Sequence, residues 1–249
     1  MTGPSDPDDD ARDESLSGLC RPGGVAAWLL LVYSLATMVQ IAVVGGQPET
    51  AAAAFRLLQE DRVVGLLRLD LPTVLALPLY YVLFLGLFAA LRRVDPARTT
   101  LATALAFAGL TLVLATPMGL SMLPLADRYA AATTEETRGQ LLAVGETILA
   151  TEMWHSTSAF VGGLLLQGAA VLVSVVMLRT GVFSRTTARV GILTHGLDLV
   201  HIALLPLLPA AGFAFMAVAG PRYLAWFPLV GRRLLQLGER PKDPGWRRS

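Results

Sequence analysis

Apolar and polar positions fall in alternating blocks along this chain, and the apolar blocks are long. Residues 23–44 and 71–91 contain no charge, and neither do residues 101–125. Residues 154–178 carry only His155 near one end, residues 190–205 hold a polar cluster, and residues 210–230 follow after a short connection. Runs of about twenty residues match the hydrocarbon thickness of a bilayer. The pattern therefore predicts an all-α polytopic membrane protein, a bundle of six transmembrane helices.

The polar blocks set the direction of threading. "LRRVDPARTT" holds Arg92, Arg93 and Arg98, and "RTGVFSRTTAR" holds Arg179, Arg185 and Arg189. The segment after Val230 adds Arg232, Arg233, Arg240, Lys242, Arg247 and Arg248. In a six-span chain these three segments share one side, and basic residues near span ends are retained in the cytoplasm. Both termini are then expected in the cytoplasm.

Two outer loops are long. Residues 50–70, with "AAAAFRLLQEDRVVGLLRLD", and residues 134–153, opening on "TTEET", mix apolar and charged positions at helical spacing. A threonine oxygen there can accept from the first free amides of a helix. Each loop is expected to hold an amphipathic helix, lying along the outer leaflet or lidding the bundle; the interfacial position is the simpler of the two. Small residues recur four apart at Ala102/Ala106, Ala104/Ala108, Ser158/Gly162 and Ala159/Gly163, a spacing that lets helices approach closely. Such faces suit a homo-oligomer or packing within one bundle, and the second is favoured.

Composition sharpens the class. The 249 residues are 54% hydrophobic and only 16% charged, against about a quarter charged in soluble domains. Residues 1–20 form an acidic tail too poor in apolar side chains to order itself, residues 21–238 the membrane domain, and residues 239–249 a basic cytoplasmic tail. A net charge of +1 and the lack of a basic stripe argue against nucleic acid as a partner. The lipid bilayer is the expected partner. Cys20 is the single cysteine, so no intrachain disulfide forms. Although "LSGLC" resembles a lipoprotein cleavage box, the residues before it are acidic where a signal is basic and apolar. Lys242 alone among the basic residues is lysine, which suits a GC-rich bacterial genome and hence a bacterial plasma membrane.

Candidate chemistry gathers in "THGLDLVHIALLPLLP". A helix starting near Val190 and rising about 1.5 Å per residue puts Asp198 roughly 12 Å from the cytoplasmic end, and Arg222 on the returning last span at a similar height. A lone charge at mid-membrane costs about 2.5–3.5 kcal/mol on insertion scales, so an Asp198–Arg222 ion pair is expected. Gly220 and Pro221 would leave a carbonyl four residues back to help receive the guanidinium. The "GPR" stretch could alternatively be a loop, but five crossings would leave the basic tail outside.

His195, Asp198 and His201 step by three, which fans them over about 120° of helix circumference. His155 lies towards the opposite side and no other span carries an acidic residue, so no metal site and no cofactor is expected. A proton path is the sharper reading of His195, Asp198, His201 and Arg222, because intramembrane ionisable residues often mark relays. Nothing comparable continues outward beyond His155 and "HSTS". No nucleophile elbow, zinc-protease helix or phosphate loop occurs, so no catalytic residues are named. A structural, regulatory or accessory role is preferred, a small transporter or proton-coupled permease is the alternative, and an intramembrane metal-dependent hydrolase is the weakest reading.

Three stretches carry a family likeness: "VFSRTTARVGILTHGLDLVHIALLP", "YLAWFPLVGRRLLQLG" and "LPLYYVLFLGLFAALRR". They resemble the penultimate, final and second spans of bacterial six-span proteins of the domain-of-unknown-function family 4386. Thr186 stands where that family usually has proline after the basic residue. The likeness covers roughly residues 21–238; it implies a six-helix bundle and carries over no catalytic residue.

Overall fold

The computed structural model describes residues 16–116, 119–151 and 156–239, and these are helical with short connections. In chain order the helices are α1 (Cys20–Val43), α2 (Ala51–Glu60), α3 (Arg62–Leu69), α4 (Leu71–Leu91), α5 (Pro96–Leu114), α6 (Met122–Ala131), α7 (Glu135–Ala150), α8 (Thr157–Leu178), α9 (Arg185–Leu204) and α10 (Pro209–Gly238). A single 3-10 turn, Gly119–Ser121, precedes α6. Among the described residues, five segments are long and apolar enough to cross a membrane: α1, α4, the run Pro96–Ala131, α8 and α10. Of the acidic tail expected over residues 1–20 and the basic tail over 239–249, residues 1–15 and 240–249 lie outside the described residues, as does His155, whereas Cys20 already begins α1 and is buried.

Six long helices close into a ring, in the order α1, α4, α5, α8, α9, α10 and back to α1. α9 is thus a full member of the ring, although its polar residues keep it from the five most apolar segments. The main core gathers towards the end that carries the arginine-rich turns. Leu30, Phe84, Leu87, Leu91, Val173, Met177, Trp226, Phe227, Val230 and Leu234 meet there with almost no exposure.

Glycine lets two of the ring's contacts close. A Cβ on Gly23 of α1 would lie 2.7 Å from the Cα of Gly86 on α4. On α5 and α8, a Cβ on Gly109 would lie 2.5 Å from the Gly162 carbonyl oxygen, and one on Gly162 would lie 2.6 Å from that of Gly109. Ala102, Ala106, Ala159 and Gly162 are buried, so these small residues pack within the bundle, while Ala104 and Ala108 are exposed.

Several expected boundaries move. Residues 101–125 do not form one helix: α5 begins at Pro96 and stops at Leu114, where Ala115 caps it and Thr116 turns its hydroxyl back to the Val113 carbonyl at 2.6 Å. Pro117 follows in the sequence, and the residue before a proline is steered away from the helical region. Residues 50–70 form two helices, because Asp61 leaves helical geometry and its carboxylate accepts from the Val63 and Val64 amides at 2.9 and 3.0 Å. Thr134 caps α7 by accepting from the Thr137 amide at 3.2 Å. Through Gly220, Pro221 and Arg222, α10 runs unbroken for 30 residues, so "GPR" is helix and not loop.

α2, α3, α6 and α7 do not lie separately. Ala51, Ala54, Phe55, Leu58, Leu69, Met122 and Ala126 form a second core among them, at the end of the ring away from the arginine turns. Arg62 pairs with Asp127 at 2.7 Å, Gln59 donates to the Ala126 carbonyl at 3.1 Å, and Glu146 accepts from the Ala51 amide at 2.8 Å. Asp70 ties this layer to the ring: it sits between α3 and α4, only 5% exposed, and accepts from the Gly119 amide at 2.8 Å.

Burial pushes the Asp70 carboxyl above its ordinary value of 3.8, and the Gly119 amide opposes that shift more weakly. A folded-state pKa above the unfolded one means that protonation favours the fold, so Asp70's contribution is full below the ordinary value and is lost as pH rises through the raised one. Asp70→Asn keeps an acceptor for the Gly119 amide and removes the charge. Its melting temperature in detergent should match wild type at acid pH and move above it as pH rises through that window. An Asp70→Asn variant less stable than wild type at neutral pH would refute this.

Candidate functional site

On α9 the polar residues form a line. Ser184, Thr187, Gly191, Thr194, Asp198 and His201 follow one another in steps of three and four, which keeps them on one side of a helix with 3.6 residues per turn. Ser184 starts the helix by accepting from the Thr187 amide at 3.0 Å. At the other end, His201 Nδ1 meets the Gly212 carbonyl of α10 at 2.9 Å. Of the buried polar side chains among the described residues, Thr187, Thr194, His195 and His201 belong to this side of α9, and Ser174 faces it from α8.

Asp198 is the centre of the line, and its partners come from two neighbouring helices. Gln167 of α8 donates from Nε2 to Oδ2 of Asp198 at 2.6 Å. Tyr223 of α10 donates its hydroxyl to the same oxygen at 2.8 Å. With its amide nitrogen turned to the carboxylate, Gln167 presents Oε1 to His195 Nδ1 at 2.7 Å. That bond needs the proton on Nδ1, so Nε2 of His195 carries the lone pair. The His195 ring stands edge to face with Tyr223 and Trp226, at centroid distances of 5.2 and 4.4 Å. Tyr80 of α4 packs edge-on against Phe227 of α10, with ring centroids 6.2 Å apart, and further out Tyr33 shares a 2.7 Å hydrogen bond with Thr73.

The expected Asp198–Arg222 ion pair is not formed. Arg222 turns its guanidinium to the Val218 carbonyl on its own helix, and Asp198 takes the hydroxyl of the next residue instead. Successive helix residues diverge by about 100°. The inward face of α10 is Ala219, Tyr223, Trp226, Phe227, Val230 and Leu234, which leaves Arg222 beside it. Matching depth alone did not place the side chain. His195 and Asp198 do share one network, whereas His201 bonds separately at the hairpin.

Two participants and one buried neighbour escaped the sequence reading. Gln167 is the only amide or charged side chain within α8, and a lone glutamine in an apolar run was the available signal. Tyr223 was hidden because tyrosine is common in membrane spans. Thr194, fully buried, belonged to the stretch but carries no charge. Among the described residues no three histidine, cysteine or carboxylate groups come together as metal ligands.

The site thus joins three helices by a carboxylate, an amide, a phenol and an imidazole, inside an all-helical chain with the spans of a multi-pass membrane protein. No protein-family model, curated protein or solved structure matches the chain.

Gln167→Leu and Tyr223→Phe each remove a bond to Asp198 and should each cost about 1–2 kcal/mol of stability. Arg222→Leu should stay within about 0.5 kcal/mol. Denaturant unfolding in detergent, with double-mutant cycles, checks this: coupling is expected for Asp198 with Tyr223 and none for Asp198 with Arg222. The reverse ranking would restore the ion pair.

Proposed function

We propose that the chain is a six-span protein of a bacterial plasma membrane, with both termini cytoplasmic, and that it acts as a small transporter or proton-coupled permease centred on Asp198. The observation that carries this reading is an aspartate held among helices by neutral donors, with no arginine on its carboxylate. A carboxylate in hydrocarbon without a counter-ion costs several kcal/mol, and a proton or a bound cation removes that cost. Groups that must be charged in one state and neutral in another suit a site that loads and unloads. Gln167 and Tyr223 hold the carboxyl in place, and His195 braces Gln167. The ring position of α9 between α8 and α10 supports a sixth crossing. The arginine turns support the orientation.

A structural or accessory role is the second reading. Two short hydrogen bonds to one oxygen of Asp198 favour it, since such a network also fixes three helices together.

Proton flux separates the two. Purified protein in liposomes holding a pH-sensitive dye, driven by a potassium gradient and valinomycin, should acidify faster than empty vesicles, and Asp198→Asn should return to the empty rate. Equal rates for wild type and Asp198→Asn, or for wild type and empty vesicles, would leave the structural role. Topology has its own check. Cys20 is buried against the Gly86 carbonyl and is a poor target for labelling. In a Cys20→Ala background, Thr134→Cys should react with an impermeant maleimide on intact cells and Ser184→Cys only after they are opened. Labelling in the opposite order would invert the orientation.

A further inference from the structure

Three buried polar atoms have no protein partner on the side of Asp198 that faces the arginine turns, two on the successive α9 residues Thr194 and His195 and one on Trp226 of α10, whose ring packs against His195. They are His195 Nε2, Thr194 Oγ1 and Trp226 Nε1. Their residues are 3%, 0% and 1% exposed, so bulk water does not reach them. The Trp226 indole lies against His195, with ring centroids 4.4 Å apart, and against Gly191, where an added Cβ would stand 2.6 Å from Nε1 and collide with Ser174 Oγ. Ser174 spends its proton on the Ala170 carbonyl at 2.8 Å and keeps a lone pair. The cluster therefore spans α8, α9 and α10.

The chemistry of the set is complementary. Trp226 Nε1 is a donor only, Nε2 of His195 in this network is an acceptor only, and a threonine hydroxyl is both. Leaving each buried group unpaired costs about 1–3 kcal/mol, and buried polar atoms that lack protein partners are commonly satisfied by ordered water. The other unpartnered threonine hydroxyls, Thr37 and Thr99, lie on α1 and α5, away from this trio.

We propose that a water molecule binds between α8, α9 and α10, accepting from Trp226 Nε1 and donating to His195 Nε2, with Thr194 as a further partner. Bound there, it holds His195 in the Nδ1–H form. That form presents its proton to Gln167, and Gln167 in turn directs its amide to Asp198. This deepens the transport reading and rests on it for its role, but its test reads water and not flux.

The measurement is proton–water cross-relaxation at the Trp226 indole N–H, by NMR of the full chain in nanodiscs, with the signal assigned by its loss in Trp226→Phe. A long-lived water contact is expected in wild type and equally in Asp198→Asn, and Thr194→Val, which removes one partner without adding bulk, should weaken it. The 15N shift of His195 Nε2 should be that of an unprotonated nitrogen accepting a hydrogen bond. An indole proton with no water contact, exchanging as slowly as the amides of α9, overturns the proposal. Flux unaffected by Asp198→Asn while the contact persists would sink the transport reading alone. Absence of the contact while Asp198→Asn still abolishes flux would sink the water alone.

Discussion

Two hydrogen bonds to one oxygen of Asp198 set the arrangement of three helices. The carboxyl sits where the surroundings are mostly apolar, and a polar group taken from water without replacement partners is costly. Gln167 from α8 and Tyr223 from α10 supply the partners. Because both donors lie on neighbours of α9, rotating any of the three helices breaks a bond. Gln167 transmits the constraint further, since its other end is committed to His195, whose ring is in turn wedged against Trp226. One side chain thereby links the polar line on α9 to the packed core around Trp226 and Phe227.

That core is possible because the ring closes tightly elsewhere. Without a large hydrophobic gain between apolar helices in an apolar surround, close packing and small residues carry association. The α1–α4 and α5–α8 contacts are made backbone to backbone at Gly23/Gly86 and Gly109/Gly162. The ring is dense at the arginine-bearing end and more polar towards the other, where Tyr33 and Thr73 bond to each other. The outer helices add a separate small core, fastened to the ring by Asp70 and Gly119.

Much of this was legible residue by residue. Charge-free runs located α1, α4 and α8 to within a few residues, since an apolar stretch of that length has few other stable forms. The threonine before "EET" marked the start of α7, because a cap is a local matter. Boundaries set by competing local chemistry were harder: Asp61 interrupts one amphipathic stretch by capping the next helix, and α5 ends at Leu114 ahead of Pro117. The polar stretch on α9 was plain, but its partners were not. Depth along a helix follows from counting residues, whereas the direction of a side chain depends on how the helix is rotated against its neighbours. That is why Arg222 was expected at Asp198 and Tyr223 was found there.

The amino-acid sequence alone determined the helical class, the approximate spans and the concentration of polar groups in α9, because these follow from hydropathy, spacing and local capping. Tertiary structure alone decided which helices are neighbours, which face of each turns inward and who satisfies the carboxylate. Those outcomes depend on packing between segments far apart in the chain. Gln167 and Asp198 are 31 residues apart, and Tyr223 a further 25; no local rule reaches across such distances.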